Sequence, residues 1–186
     1  LQIKINRLIA DEVRKLLEQR KIFGRLDEEA PGDFMMTAVS RLVVQKGFRL
    51  LFIELNEDKE RGIQKGERLI DLLLRLRGPQ GEKFQMFFMA SPGDSEGYSL
   101  VPFLQQSAER YAQTGQMVFL NLYNPALAKQ IFASGDPFFM PSHYEPGGIT
   151  NAQAACCGSV PFVTFTGGLR DFLENQGTLP EFTAPE

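Results

Sequence analysis

The sequence predicts an α/β fold: a parallel sheet with helices on both faces. Three observations predict it. Short apolar runs of strand length alternate with helical stretches, about five times along the chain. Runs such as residues 84–89 and 117–122 are apolar almost throughout, as strands covered on both faces must be. The last two runs each lead through a glycine pair into a helix start, Gly147-Gly148 and Gly167-Gly168. With 186 residues the chain is long enough for one domain with a full core.

Each element has a local reason. In residues 6–23, Leu8, Ile9, Val13, Leu16 and Leu17 recur at helical spacing, with Asn6 placed to cap the start and Gly24 after the end. Residues 25–33 are charged, carry Pro31-Gly32, and read as a turn or linker. The domain reading is therefore an N-terminal helix and linker over 1–33 and a sheet domain over 34–186. Residues 34–39 form the first strand. Residues 47–60 are too densely apolar to fix a period, and a helix ending in the charged patch 57–61 is the favoured reading. Residues 66–77 read as a leucine-rich helix with a polar stripe of Arg68, Asp71 and Arg75, stopped by Gly78-Pro79.

Residues 84–89 are a strand and 91–94 a loop. Leu100, Leu104, Ala108 and Tyr111 share one helix face, with Pro102 expected in the first turn. Residues 117–122 are a strand. Asn124 caps a helix that has Pro125 at its first position and is closed by Gly135. A strand over 137–140, a helix over about 149–157, a strand over 160–165 and a short helix after Gly168 complete the order. Residues 177–186 have no helical period and read as an exposed end.

The formal net charge is −3, which argues against a general nucleic-acid or anionic-membrane binder. The two cysteines, Cys156 and Cys157, are adjacent, so neither a disulfide framework nor a zinc set is expected. No apolar run reaches membrane-spanning length and no secretory pattern opens the chain. A reducing, cytoplasmic setting fits. The chain opens on Leu1 rather than methionine and reads as a piece of a longer protein.

The chemistry gathers after the strands. If the runs at 137–140 and 160–165 are parallel, both glycine pairs lie at carboxyl ends of strands, on the edge where open α/β sheets bind ligands. Glycine lets backbone approach a ligand, and amides at a helix start attract anions. Ordinary strand-to-helix turns fit the same spacing. Arg41 and Lys46 follow a strand end and can neutralise phosphate; solvated surface cations are the alternative. Glu145, just before a glycine pair, can accept hydrogen bonds from sugar hydroxyls, or be a lone surface carboxylate. Tyr123 at a strand end can stack on a base, or be an ordinary strand-end tyrosine. His143 is the only histidine and has no triad partners, no cluster has metal-ligand spacing, and both GxxxxGK and GxGxxG are absent.

Taken together these residues resemble a known family. Ser40-Arg41-Leu42 with Gln45-Lys46-Gly47 resembles the SRLTxQKG segment of bacterial glycogen synthases and plant starch synthases. Met140-Pro141-Ser142 with Glu145-Pro146-Gly147-Gly148 resembles their MPSxFEPCGLTQ segment, and residues 166–171, TGGLRD, match RTGGLRD from the threonine on. The resemblance covers roughly residues 34–175. It implies the C-terminal, nucleotide-sugar-binding half of a GT-B glycosyltransferase, with a Rossmann-like domain. It implies transfer of glucose, with retention, from ADP-glucose (UDP-glucose in some relatives) to an α-1,4-glucan. Arg41 and Lys46 are then expected on the diphosphate and Glu145 on the donor glucose. Gly147, Gly148, Thr166, Gly167 and Gly168 are expected to line phosphate and sugar, and Tyr123 to lie against adenine.

No metal and no cofactor beyond the donor is implied. The acceptor is expected on an N-terminal domain outside this chain, so the isolated chain is expected not to turn over. The compartment implied is the cytoplasm, or a plastid in a plant. The chain departs from the family pattern at Gly147 (for cysteine), Asn151 (for glutamine) and Tyr144 (for phenylalanine). Gln153 stands eight residues after Glu145, where many GT-B enzymes have a second glutamate. Residues 91–94 are a looser form of a GxGD loop, and 56–64 read as an insertion. A UDP-sugar transferase with another acceptor, and a non-catalytic nucleotide-sugar-binding module, are the competing readings.

Overall fold

A computed structural model describes residues 21–27 and 34–175. Among them is a six-stranded sheet: β1 (Ile22–Leu26), β2 (Phe34–Leu42), β3 (Phe84–Pro92), β4 (Gln116–Leu120), β5 (Pro137–Met140) and β6 (Val160–Val163). The spatial order is β1-β4-β3-β2-β5-β6. Strands β2 to β6 are parallel to their neighbours, and β1 runs antiparallel along β4 at one edge. The helices are α1 (Leu69–Arg75), α2 (Ser95–Arg110), α3 (Pro125–Ser134), α4 (Ile149–Cys156) and α5 (Gly167–Asn175).

Side-chain alternation along the central strands builds two cores. In β3, Met86, Phe88 and Ala90 pack with Ile70 and Leu74 of α1 and Leu100, Leu104 and Ala108 of α2. The intervening Phe87 and Met89 pack with Leu127, Ile131 and Phe132 of α3, Ala154 of α4 and Leu169 of α5. Helices therefore cover both faces, as the uniformly apolar strands require.

The parallel strands run β2, β3, β4 in one direction, and the chain then returns to place β5 and β6 on the other side of β2. The order thus reverses between β2 and β5. In open α/β sheets the crevice at such a reversal, beyond the carboxyl ends of the strands, is the ligand site. Residues 43–47 leave β2 there, just past Arg41 at its end, and residues 141–148 leave β5 there.

Several expectations are corrected. Residues 22–26, read as a helix end and linker, form β1, so the sheet takes in residues before Phe34. Gly24, expected after a helix, sits in that strand at φ 75°. The rest of the helix expected over 6–23, the Pro31-Gly32 turn and the 177–186 tail lie outside the described residues. The helix favoured over 47–60 is a single 3-10 stretch, Phe48–Phe52, which buries Phe48 and Leu51 three apart. Beyond it the backbone extends, and Leu55 N–H donates to the Glu67 carbonyl at 2.8 Å. The strip read as an insertion contains a tight turn, in which Asp58 and Ile63 exchange backbone hydrogen bonds.

The helix expected over 66–77 is the shorter Leu69–Arg75, because Arg77 pairs with Lys83 as an isolated bridge. Pro102 lies inside α2 rather than in its first turn, because the helix starts at Ser95, capped by Asp94. The other boundaries shift by a few residues, as helix and strand ends do.

Candidate functional site

Residues 44–46 turn sharply after β2 and end on Gly47 at φ 67°. A side chain there would also collide with the Pro141 carbonyl, so only glycine lets this turn lie against the loop after β5. Gln45 ties the same two segments at both ends. Its carbonyl accepts from His143 N–H at 2.9 Å, and its side-chain amide donates to the Tyr144 carbonyl at 2.8 Å. Asp94 anchors the turn from the other side. Its carboxylate accepts from the Val44 and Gly97 amides, both at 2.8 Å, capping α2 as it does so. Those hydrogen bonds, Gly97 first and Val44 second, hold the Asp94 carboxyl below its ordinary range.

The turn delivers Lys46 onto Glu145. Their side chains form an ion pair with each largely withdrawn from solvent. Ser142, fully buried, donates its hydroxyl to the same Glu145 oxygen at 3.3 Å.

The two glycine pairs meet. Gly168 N–H donates to the Glu145 carbonyl at 2.7 Å. Gly167 adopts φ 47°, and a side chain on it would run into that carbonyl. The Thr164 hydroxyl donates to the Ser142 carbonyl, and the Thr166 hydroxyl to the His143 carbonyl at 3.3 Å. The loop after β6 is thus stapled onto the loop after β5, and the second glycine pair serves that packing. The Gly168 amide is already engaged. Gly147 is different: it is exposed, and a side chain there would meet only the Ile149 side chain, at ordinary contact distance.

A cleft of about 990 Å³ opens at this edge. Arg41, Lys46 and Tyr123 share its wall with Ile149 and Thr150, the first residues of α4, and with Gln153. Tyr123 is 61% exposed, and Asn124 behind it caps α3 by accepting from the Ala126 and Leu127 amides. The Arg41 guanidinium makes no hydrogen bond or ion pair among the described residues. Two free cationic or amide-rich elements, the Arg41 side chain and the start of α4, therefore face one space.

The structure gathers three of the residues singled out from the sequence, Arg41, Lys46 and Tyr123, on that wall and joins Glu145 to them through Lys46. Gly147, Gly148, Thr166, Gly167 and Gly168 form the adjoining loops. Sequence reasoning gave no role to Gln45 or Ser142, although both stand within the motifs. The Gln45 contact spans 99 residues, which no local pattern reports, whereas Ser142 reaches Glu145 from only three residues away. Among the described residues no group of three or more histidine, cysteine or acidic side chains could hold a metal. No described helix is long and apolar enough to cross a membrane.

No protein-family model matches the chain. It is 35% identical over 138 residues to the glycogen synthase of Trichodesmium erythraeum (strain IMS101), which covers 74% of this chain and 24% of that protein. The catalytic domain of starch synthase IV from Arabidopsis thaliana, solved bound to ADP and acarbose, superposes with a TM-score of 0.53 at 27% identity, over 91% of this chain and 29% of that one. The Anabaena protein HepE in complex with UDP-glucose shares the fold, with a TM-score of 0.51 at 20% identity over 75% of this chain and 32% of that one. The chain spans about a quarter of the length of the curated relatives it matches. By sequence and by fold it belongs to the glycogen synthase family of GT-B glycosyltransferases, as the homologue of their C-terminal part.

Proposed function

We propose that this chain is the donor-binding part of a retaining glucosyltransferase that takes glucose from ADP-glucose for transfer to an α-1,4-glucan. The observation that carries the reading is the convergence of Arg41, Lys46 and the start of α4 on one cleft at the sheet's switch point. Transfer breaks the bond between the anomeric carbon and the diphosphate, and negative charge grows on the departing phosphate. Fixed cations and helix-start amides already aimed at that place stabilise the charge without reorganising. Arg41 and Lys46 take this role, and no metal is called on.

Glu145 accepts hydrogen bonds from hydroxyls of the donor glucose, held in place by Ser142 and Lys46. The exposed backbone at Gly147 admits the sugar and phosphate, Gly148 at φ 60° turns the chain into α4 behind it, and Thr166, Gly167 and Gly168 support that loop. Tyr123 offers a bare ring at the rim of the cleft for adenine. Gln153, on the same wall, gives the ribose an amide where a carboxylate would bind its two hydroxyls more strongly. The preference for ADP over UDP rests on the starch synthase neighbour, which was solved with ADP. The glucan acceptor is assigned to parts of the whole protein outside this chain, so the chain alone is expected to bind donor without turnover. The reaction is that of a cytoplasmic or plastid enzyme.

Calorimetric titration with ADP-glucose and with UDP-glucose tests this, using Arg41→Ala as the control. ADP-glucose should bind the native chain and lose about tenfold or more in affinity with Arg41→Ala. A preference for UDP-glucose would move the donor assignment to a UDP-sugar. A folded chain that binds neither nucleotide sugar would overturn the reading.

A further inference from the structure

The cleft is longer than its cationic mouth. From Ile149 and Thr150 its wall follows α4 through Ala152 and Gln153 to Cys156 and Cys157, with Ala128, Lys129 and Phe132 of α3 opposite. Eight helical residues span roughly 12 Å, so the cysteines stand about that far from the anion-binding end. Both thiols are free and exposed, and both line the same space as Arg41, Lys46 and Lys129.

We propose that Cys156 and Cys157 form a thiol-modification site, at which a small anionic disulfide of the glutathione class attaches covalently and closes the cleft to its ligand. A deprotonated cysteine sulfur attacks one sulfur of the disulfide. The protein–glutathione S–S bond forms, the original S–S bond breaks, and the released half leaves with the electron pair and takes up a proton. The exchange is balanced by the disulfide itself, and a free thiol reverses it.

Three features favour this site. The cleft's cations attract an anionic reagent. The attached group lies along the α3–α4 end of the cleft and crowds its mouth. The neighbouring thiol does not readily expel it, because Cα atoms of consecutive residues are about 3.8 Å apart, closer than the usual disulfide range. The adduct therefore persists until an external thiol removes it. The effect on donor binding rests on the reading in the preceding section; the attachment itself does not.

The test treats the folded chain with glutathione disulfide and, in parallel, with the dicationic disulfide cystamine, and maps the adducts by mass spectrometry. Glutathione should attach at Cys156 or Cys157 without denaturant, several-fold faster than cystamine at low salt. An Arg41→Gln, Lys129→Gln variant should shrink that ratio. The glutathione adduct should bind ADP-glucose about tenfold more weakly or worse, and dithiothreitol should restore binding. A Cys156→Ser, Cys157→Ser variant should bind as the native chain does and be indifferent to the disulfide.

An adduct that binds ADP-glucose as tightly as the free chain overturns the proposal, and so does labelling that requires denaturant. If the unmodified chain binds no ADP-glucose, the donor reading falls by itself. The thiol site is then judged on the rates, and equal rates for the two disulfides overturn it.

Discussion

Lys46 and Glu145, 99 residues apart in the sequence, form an ion pair across the switch point between β2 and β5. Neither strand carries the pair; the loops that leave them do. The contact joins the cation expected on phosphate to the carboxylate expected on sugar, so that each holds the other in place before any donor arrives.

Removing one partner should cost more than removing both. Lys46→Ala leaves Glu145 withdrawn from water without its counter-charge, at a cost of about 2 kcal/mol or more. Lys46→Met with Glu145→Gln should recover much of that stability while still failing to bind ADP-glucose. Urea denaturation of Lys46→Met, of Glu145→Gln and of the double variant measures it, and a double loss equal to the sum of the two single losses would show that the pair is not coupled. Arg41→Ala, at an exposed side chain, should weaken donor binding with little change in stability.

Gly47→Ala should damage the site through the backbone. The substitution forces a side chain into the left-handed region and against the Pro141 carbonyl. A loss of about 2 kcal/mol is expected, together with weaker donor binding because Lys46 is displaced. Unchanged affinity would mean that the turn tolerates the shift.

Asp94 gives the fold an acid limit. Its carboxyl titrates below the ordinary value because the Gly97 and Val44 amides bond the charged form. With the folded value below the unfolded one, this stabilisation is full above an unfolded carboxyl range of about 4. It is lost as pH falls through the folded value. Thermal melts at descending pH should show a steeper drop below about pH 4 in the native chain than in Asp94→Asn. Parallel curves would remove Asp94 from the account.

Asn151 is fully buried, and neither its amide nitrogen nor its carbonyl oxygen has a hydrogen-bond partner among the described residues. Burying such a group without partners costs free energy. Asn151→Leu, which keeps the number and branching of the side-chain heavy atoms without their polarity, should therefore raise stability by about 1 kcal/mol in urea denaturation. A loss would show that the amide is satisfied in solution by a water or another group.

By itself the sequence determined the strands β2 to β6 and the helices after them, because uniform apolar runs, the Asn124 cap and the Pro125 start are local signals with local causes. It also singled out the residues of the candidate site, since the two loop motifs and Arg41 with Lys46 stand in short contiguous segments. It misplaced residues 22–26, whose apolar positions fit a helix end as well as an edge strand until β4 supplies the pairing. It left the 47–60 stretch ambiguous because dense apolar residues fix no period.

Only the tertiary structure decided that β2 lies between β3 and β5, and with that everything at the switch point: the Lys46–Glu145 pair, the Gln45 clamp and the stacking of one glycine pair on the other. The physical reason is range. Periodicity and capping depend on neighbours a few residues away. Strand order is settled by burying both faces of the whole sheet at once, which no short segment can report.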